Sequence, residues 1–192
     1  MKQSDKISII LGSSSERRKM LLSLIFNKFE IIKPECEEKV FISPQKTALE
    51  NAKNKMFAII PLLKETYNTL IISADTIVYK KSKIFSKPRS KEDAFLMLKE
   101  LNGRRHSVYS GVSLYFNNKI FLFHEKTDVY FNFFSDNLLK NYVLTNEPLD
   151  AAGSYKIQGN GSILIKKIRG SLTNVNGFPV EKFLKYYNRF IC

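Results

Sequence analysis

Short apolar runs alternate along the chain with stretches of helical spacing. Residues Ile7-Ser8-Ile9-Ile10-Leu11 are rich in β-branched side chains and predict a buried strand. The small polar loop Gly12-Ser13-Ser14-Ser15 follows. Residues 16–27 then carry Met20, Leu21, Leu24 and Ile25 at helical spacing. Residues 29–32 read as a second strand. Ser43-Pro44 opens a helix, with Ser as N-cap and Pro in the first turn. Ala48, Ala52, Ile59 and Leu63 give it an apolar face.

Residues 70–74 form a short apolar strand that runs into Asp75-Thr76. Ser90 caps the next helix, with Asp93 placed as in a capping box. Ala94, Met97, Leu98 and Leu101 make its buried stripe, and Gly103 stands where a helix ends. Residues 106–116 and 119–123, joined by Asn117-Asn118, predict a hairpin. Residues 127–134 are a further strand, and Ser135 caps a helix bearing Leu138, Leu139, Tyr142 and Val143. A glycine-bearing loop over 153–161 precedes a strand at 162–168. Pro179 opens a last helix with Val180, Phe183, Leu184 and Tyr187 inward. The pattern predicts an α/β fold, a mixed β-sheet flanked by helices, with no linker dividing residues 1–192 into separate domains.

The formal charge is +13. Such a balance suits an anionic substrate or nucleic acid. Its basic residues are mostly Lys, however, and Asn, Ile and Phe are abundant too. These four residues share A/T-rich codons, so the charge reads as nucleotide bias more than as a nucleic-acid footprint. Cys36 and Cys192 are far apart and match neither a disulfide framework nor a zinc spacing. The longest apolar stretches, 20–26 and 56–63, are too short to span a membrane, and no leader-like run follows the start. A cytoplasmic setting is the expectation.

Ser13, Arg17 and Arg18 bring hydrogen-bond donors and positive charge to one strand–loop–helix junction. They suit a phosphate, or the two Arg lie on a solvated helix face. There is no P-loop pattern. Asp75, read as standing at the end of a strand, suits a metal ion, a proton-accepting role or a simple turn. Glu37, Glu38, Lys55, Lys87 and Arg89 are ordinary singly, as is Gln158 in its glycine loop. Gly159-Asn160-Gly161 precedes a strand rather than a helix, which counts against a dinucleotide fingerprint. His106 and His124 lack partners at metal spacing and read as structural, and Phe131, Phe133 and Phe134 as core or sheet-face residues.

Together, several segments resemble the Maf (septum-formation) family of nucleoside triphosphate pyrophosphatases. They are residues 11–22, Ser73-Ala-Asp-Thr76, Lys87-Pro88, Asn102-Gly103 with His106-Ser-Val, Glu147-Pro148, Ala152-Gly-Ser-Tyr-Lys-Ile-Gln-Gly159, and Gly170-Ser with Asn174-Val-Asn-Gly-Phe-Pro179. The resemblance implies two lobes around a deep nucleotide-binding groove. It implies hydrolysis of the α–β phosphoanhydride to a monophosphate and pyrophosphate, aided by Mg²⁺ or Mn²⁺. By position, Asp75 would accept the proton of the attacking water, and Glu38 would join it in holding the metal. Ser13, Arg17, Arg18, Lys55 and Lys87 would cradle the triphosphate. Arg17, Thr76 and Gln158 resemble the dTTP/UTP-directed branch, with modified pyrimidine nucleotides as further candidates. Family members often pair as homodimers. The other reading is a basic nucleic-acid-binding or cell-division regulatory protein.

Four positions depart from the family pattern: Glu16 for Pro, Gly12 for Ala, Ser73 for Gly and Phe178 for Leu. Glu16 is unfavourable if it faces a phosphate and harmless if it faces away.

Overall fold

The computed structural model describes residues 7–191. Cys192 lies outside the described residues, and Cys36 is an exposed free thiol. The strands are β1 (Ser8–Gly12), β2 (Glu30–Ile31), β3 (Thr69–Lys80), β4 (Lys83–Phe85), β5 (Arg105–Phe116), β6 (Lys119–Phe131) and β7 (Ile165–Arg169). The helices are α1 (Glu16–Ser23), α2 (Pro44–Ile59), α3 (Lys91–Leu101), α4 (Asp136–Leu144), α5 (Leu172–Val175) and α6 (Val180–Ile191). The fold is mixed α/β. The strands form one sheet in the order β2-β1-β3-β5-β6-β7, with β4 beside β3. β1 pairs parallel with β2 and β3; β3 with β4 and β5, β5 with β6, and β6 with β7 are antiparallel. No helix of the described residues is long and apolar enough to cross a membrane.

The helix starts follow the local chemistry. Ser43 Oγ accepts from the Lys46 N–H at 3.2 Å, with Pro44 as the first helical residue. Ser90 Oγ accepts from Asp93 N–H at 3.2 Å, and the Asp93 carboxylate reaches back to the Arg89 N–H at 3.0 Å. Asn117 and Asn118 both take left-handed backbone, as a tight hairpin turn requires.

Four expectations are corrected. Residues Asn160–Leu164 form a helical turn, so the glycine loop runs into that turn and the strand expected at 162–168 is Ile165–Arg169. The strand at 70–74 runs on to Lys80, so Asp75 is not at its end. The strands expected at 119–123 and 127–134 are one strand, because His124, Glu125 and Lys126 keep pairing with Gly111, Ser110 and Tyr109. Leu184, expected inward beside Val180, Phe183 and Tyr187, is 41% exposed, and Tyr186 and Phe190 pack against the core as well.

β3 explains where the cleft opens. One edge is bonded to β5 over residues 71–79. The other is bonded to β1 up to Ser73 and to β4 from Val78. Residues 74–77, including Asp75 and Thr76, face a gap between β1 and β4. The sheet edge inferred from sequence exists, but it is the end of β1.

The same region divides the core. On one face Leu70, Ile72, Ala74, Val112 and Leu114 join α1 and α6 through Leu22 and Phe183. Further along that face Val78, Val108 and Val129 join α3 and α4 through Leu98 and Leu139. Thr76 and Ser110, paired across the strands with oxygens 2.8 Å apart, interrupt the apolar surface between the two clusters. α2 covers the opposite face, with Met56 and Ile59 against Ile71 and with Ala48 against Ile77.

His106 lies within the second cluster at 2% exposure. Its Nε2 is 2.9 Å from the Tyr155 hydroxyl, and both rings pack edge-on to Phe131. Burial, with a further push from the Lys80 charge, lowers the imidazole pKa to about 3. The fold therefore keeps His106 neutral, while the unfolded chain protonates near 6.5. Its contribution is intact above about 6.5 and is lost as pH falls toward about 3. The departures at Gly12 and Ser73 are also neighbours in space. They are register partners, and a Cβ on Gly12 would stand 2.3 Å from Ser73 Oγ and from Ile59 Cδ1.

Two outcomes follow. Gly12→Ala is expected to lower stability by about 1 kcal/mol or more through overpacking. Ser73→Gly in the same chain should restore part of the loss, the Ile59 contact remaining, which urea titration of the single and double variants measures. His106→Gln should flatten the decline in stability between pH 6.5 and 4, read from urea midpoints of both proteins across that range.

Candidate active site

Gly111 is opposite Asp75 across β3 and β5. A Cβ there would stand 2.3 Å from the backbone of Ala48. Its absence lets α2 lie against the sheet, and Asn51 and Lys55, one turn apart on α2, reach Asp75. Lys55 Nζ is 2.6 Å from Asp75 Oδ1 and 2.6 Å from Glu38 Oε1. Asn51 Nδ2 donates to Asp75 Oδ2 at 3.2 Å. Both carboxylate oxygens of Asp75, which is 3% exposed, are thus partnered.

Asn51 also orders the loop that carries Glu38. Its Oδ1 accepts from the Lys39 N–H at 2.9 Å, and Thr47 Oγ1 accepts from the Phe41 N–H at 3.0 Å. Glu38 itself keeps more than half of its side chain in solvent.

Arg18 closes the junction after β1. Its Nε donates to the Gly177 carbonyl at 2.9 Å, and its terminal nitrogens donate to Ser13 Oγ at 3.0 Å and Thr76 Oγ1 at 3.1 Å. Three of five guanidinium N–H groups are committed, leaving two for a ligand. Burial lowers its pKa, opposed chiefly by the charge of Asp75. Arg17 donates to the Asp150 carbonyl at 3.3 Å. Its pKa is lowered by burial and supported by Asp150.

These groups surround a cleft of about 310 Å³. Ser13, Arg17, Arg18, Glu38, Lys55, Asp75, Thr76 and Lys87 all line it. Gln158 does not; it is exposed, one residue beyond Ile157, which does. Glu16 points away: it is 84% exposed in its side chain and lies 3.5 Å from Lys19. It stands in the first turn of α1, where a carboxylate suits the helix dipole.

The lining includes residues the sequence reading did not single out. Asp150 Oδ1 is 2.5 Å from Lys87 Nζ, and Lys156 is also beside it. Asn176 is buried on the cleft wall, and its Oδ1 has no partner. Asn51 supports Asp75 from behind. No spacing signal marks Asn51, but its place one helical turn before Lys55 puts both on one face. Glu147 proves to be a loop anchor: it accepts from Tyr142 Oη at 2.9 Å and from the Asn160 and Gly161 N–H groups at 3.0 Å.

A buried acid touched by an ammonium, beside Arg and Lys donors in one cleft, is a site suited to hydrolysing a polyphosphate. Among the described residues no group of three or more metal-binding side chains occurs. Glu38 and Asp75 do converge on one point, now taken by Lys55 Nζ. Two carboxylates fit Mg²⁺ or Mn²⁺ when phosphate oxygens and water supply the other ligands.

The chain belongs to the Maf family. The model of that family, described as Maf-like protein, matches residues 8–190. The dTTP/UTP pyrophosphatase of Carboxydothermus hydrogenoformans is 40% identical over 184 residues, covering 93% of this chain and 96% of that protein. The dTTP/UTP pyrophosphatase of Thermosipho melanesiensis is 42% identical over 177 residues, covering 92% and 94%. Among solved structures, the Staphylococcus aureus Ham1 protein aligns with 65% of this chain and 71% of its own, at 17% identity and a TM-score of 0.46.

Lys55→Met removes the cation from a buried carboxylate. It is expected to destabilise the fold by about 3 kcal/mol, and adding Asp75→Asn should recover most of that. Chemical denaturation of the three variants gives the comparison.

Proposed function

We propose that this chain hydrolyses nucleoside triphosphates to monophosphate and pyrophosphate, acting on dTTP and UTP, as a single domain. The observation that carries the reading is the Asp75–Lys55–Glu38 chain at the floor of a cleft whose walls hold Arg17, Arg18 and Lys87. A nucleoside triphosphate carries several negative charges, and these donors offset them.

In this reading the substrate phosphates draw Lys55 from the two carboxylates toward their own oxygens. Asp75, with Asn51 still on its other oxygen, then takes a proton from the water attacking the α-phosphorus. Arg17, Arg18, Ser13 and Lys87 hold the triphosphate in line and offset charge on the departing pyrophosphate. Glu38 and Asp75 would hold the divalent cation. When bound, it would polarise the phosphoryl oxygens and neutralise charge as the anhydride bond breaks. Thr76 and Arg17, with Gln158 at the loop beyond Ile157, would favour the pyrimidine nucleotide.

The relatives named for dTTP and UTP support the base preference, and the high coverage of each supports treating the chain as one unit. The competing nucleic-acid reading has only the Lys-rich charge behind it. Arg17, Lys87 and Lys156 are instead gathered around one cleft and one carboxylate.

Pyrophosphate release from dTTP, UTP, CTP, GTP and 7-methyl-GTP, with Mg²⁺ or Mn²⁺, tests this directly. dTTP and UTP should be the best substrates. Asp75→Asn should lower kcat by about 100-fold or more with circular dichroism unchanged. Full activity in that variant would remove Asp75 from the chemistry, and a preference for 7-methyl-GTP would overturn the pyrimidine assignment.

A further inference from the structure

Asp150 is the one acid of the cleft wall that the reaction above does not use, and it is where three of its cations meet. Lys87 Nζ stands 2.5 Å from Oδ1, and Lys156 Nζ 3.8 Å from Oδ2. Arg17 donates to the backbone carbonyl of the same residue. These partners come from α1, from the segment after β4 and from the loop before β7. Segments far apart in sequence are thus drawn together on one carboxylate.

The position of Asp150 is set by its own turn. Residues Glu147–Asp150 form a single helical turn, with the Ala151 N–H donating to Pro148 and Glu147 fixed as described. The backbone of Asp150 is thus set by its own turn, and its carboxylate meets Lys87 and Lys156. Against the upward push of burial, the hydrogen bond and charge of Lys87, then Lys156 and Arg17, hold its pKa below the usual carboxylate range. The side chains of Lys87 and Asp150 are 63% and 69% exposed. Contacts so exposed are screened and exchange readily. A polyphosphate, with more charge and more acceptor oxygens, would take the same donors from a single carboxylate.

We propose that Asp150 is a resident anion of the phosphate cradle. Between turnovers it holds Lys87 and Lys156 at the cleft wall. It surrenders them to the phosphates of the substrate and reclaims them as pyrophosphate leaves. Asp150 is thus a positioning residue that opposes product retention. The inference rests on the reading that this cleft binds the triphosphate. It differs from a plain structural ion pair in sign. Loss of a structural pair would leave the lysines disordered and weaken anion binding. Loss of a competing anion strengthens it.

The test is calorimetric titration of the full chain with inorganic pyrophosphate in EDTA, so that no metal ion takes part. Asp150→Asn keeps the size of the side chain and the carbonyl that Arg17 uses. Its dissociation constant for pyrophosphate should fall about 5- to 10-fold, Asp150→Glu should return it toward the wild type, and Lys87→Met in the Asp150→Asn chain should cancel the gain. Product inhibition by pyrophosphate should strengthen in the same order. If Asp150→Asn does not fold, Asp150→Ser carries the same expectation. Unchanged or weaker binding in the variant, with the wild type binding normally, overturns the role of Asp150 alone. A wild type that binds no pyrophosphate overturns both this role and the assignment of the cleft.

Discussion

The site depends on how closely one helix approaches the sheet. Gly111 has no side chain, so α2 rests on the backbone of β5 directly across from Asp75. Any larger residue would push the helix outward. Lys55 and Asn51 would then fall short of a carboxylate that has almost no contact with solvent. A buried acid without such partners is costly to ionise. The partners of this buried carboxylate are therefore secured by packing on the far strand.

A second constraint is the polar band across the sheet. Thr76 and Ser110 replace apolar residues at the point where one cluster of packed side chains gives way to the next. Arg18 and the Gly177 carbonyl lie over Thr76 and tie the loop after β1 to the turn before α6. The two lobes are therefore joined by hydrogen bonds rather than by continuous apolar packing. That allows a cleft to exist without leaving an exposed hydrophobic seam.

Much of this was legible in the residues. Ser43, Ser90 and Ser135 mark helix starts because hydroxyl caps act locally. The Asn117-Asn118 hairpin turn is equally local. The family motifs brought eight of the nine expected site residues to one cleft, Gln158 being set just outside the lining. What was not legible is set by neighbours. Nothing in residues 70–80 says that β1 stops at Ser73 and β4 begins at Val78, so the gap beside Asp75 was read as a strand end. The polar triple 124–126 resembled a break because sequence does not reveal that β5 pairs along its whole length. Asn51 and Asp150 lie outside the family motifs, and their partners are distant in the chain; Asn176 lies within one but was not singled out. Gly12 and Ser73 look like two separate departures until the register shows that they face each other.

β3, β5 and β6 each run uninterrupted beneath both lobes, over 12, 12 and 13 residues. A hydrogen-bonded slab of that length has no joint at its middle. Asp75 and Thr76 thus share one unbroken strand with residues packed in both clusters, so their spacing to either side of the cleft is set by a single run of backbone.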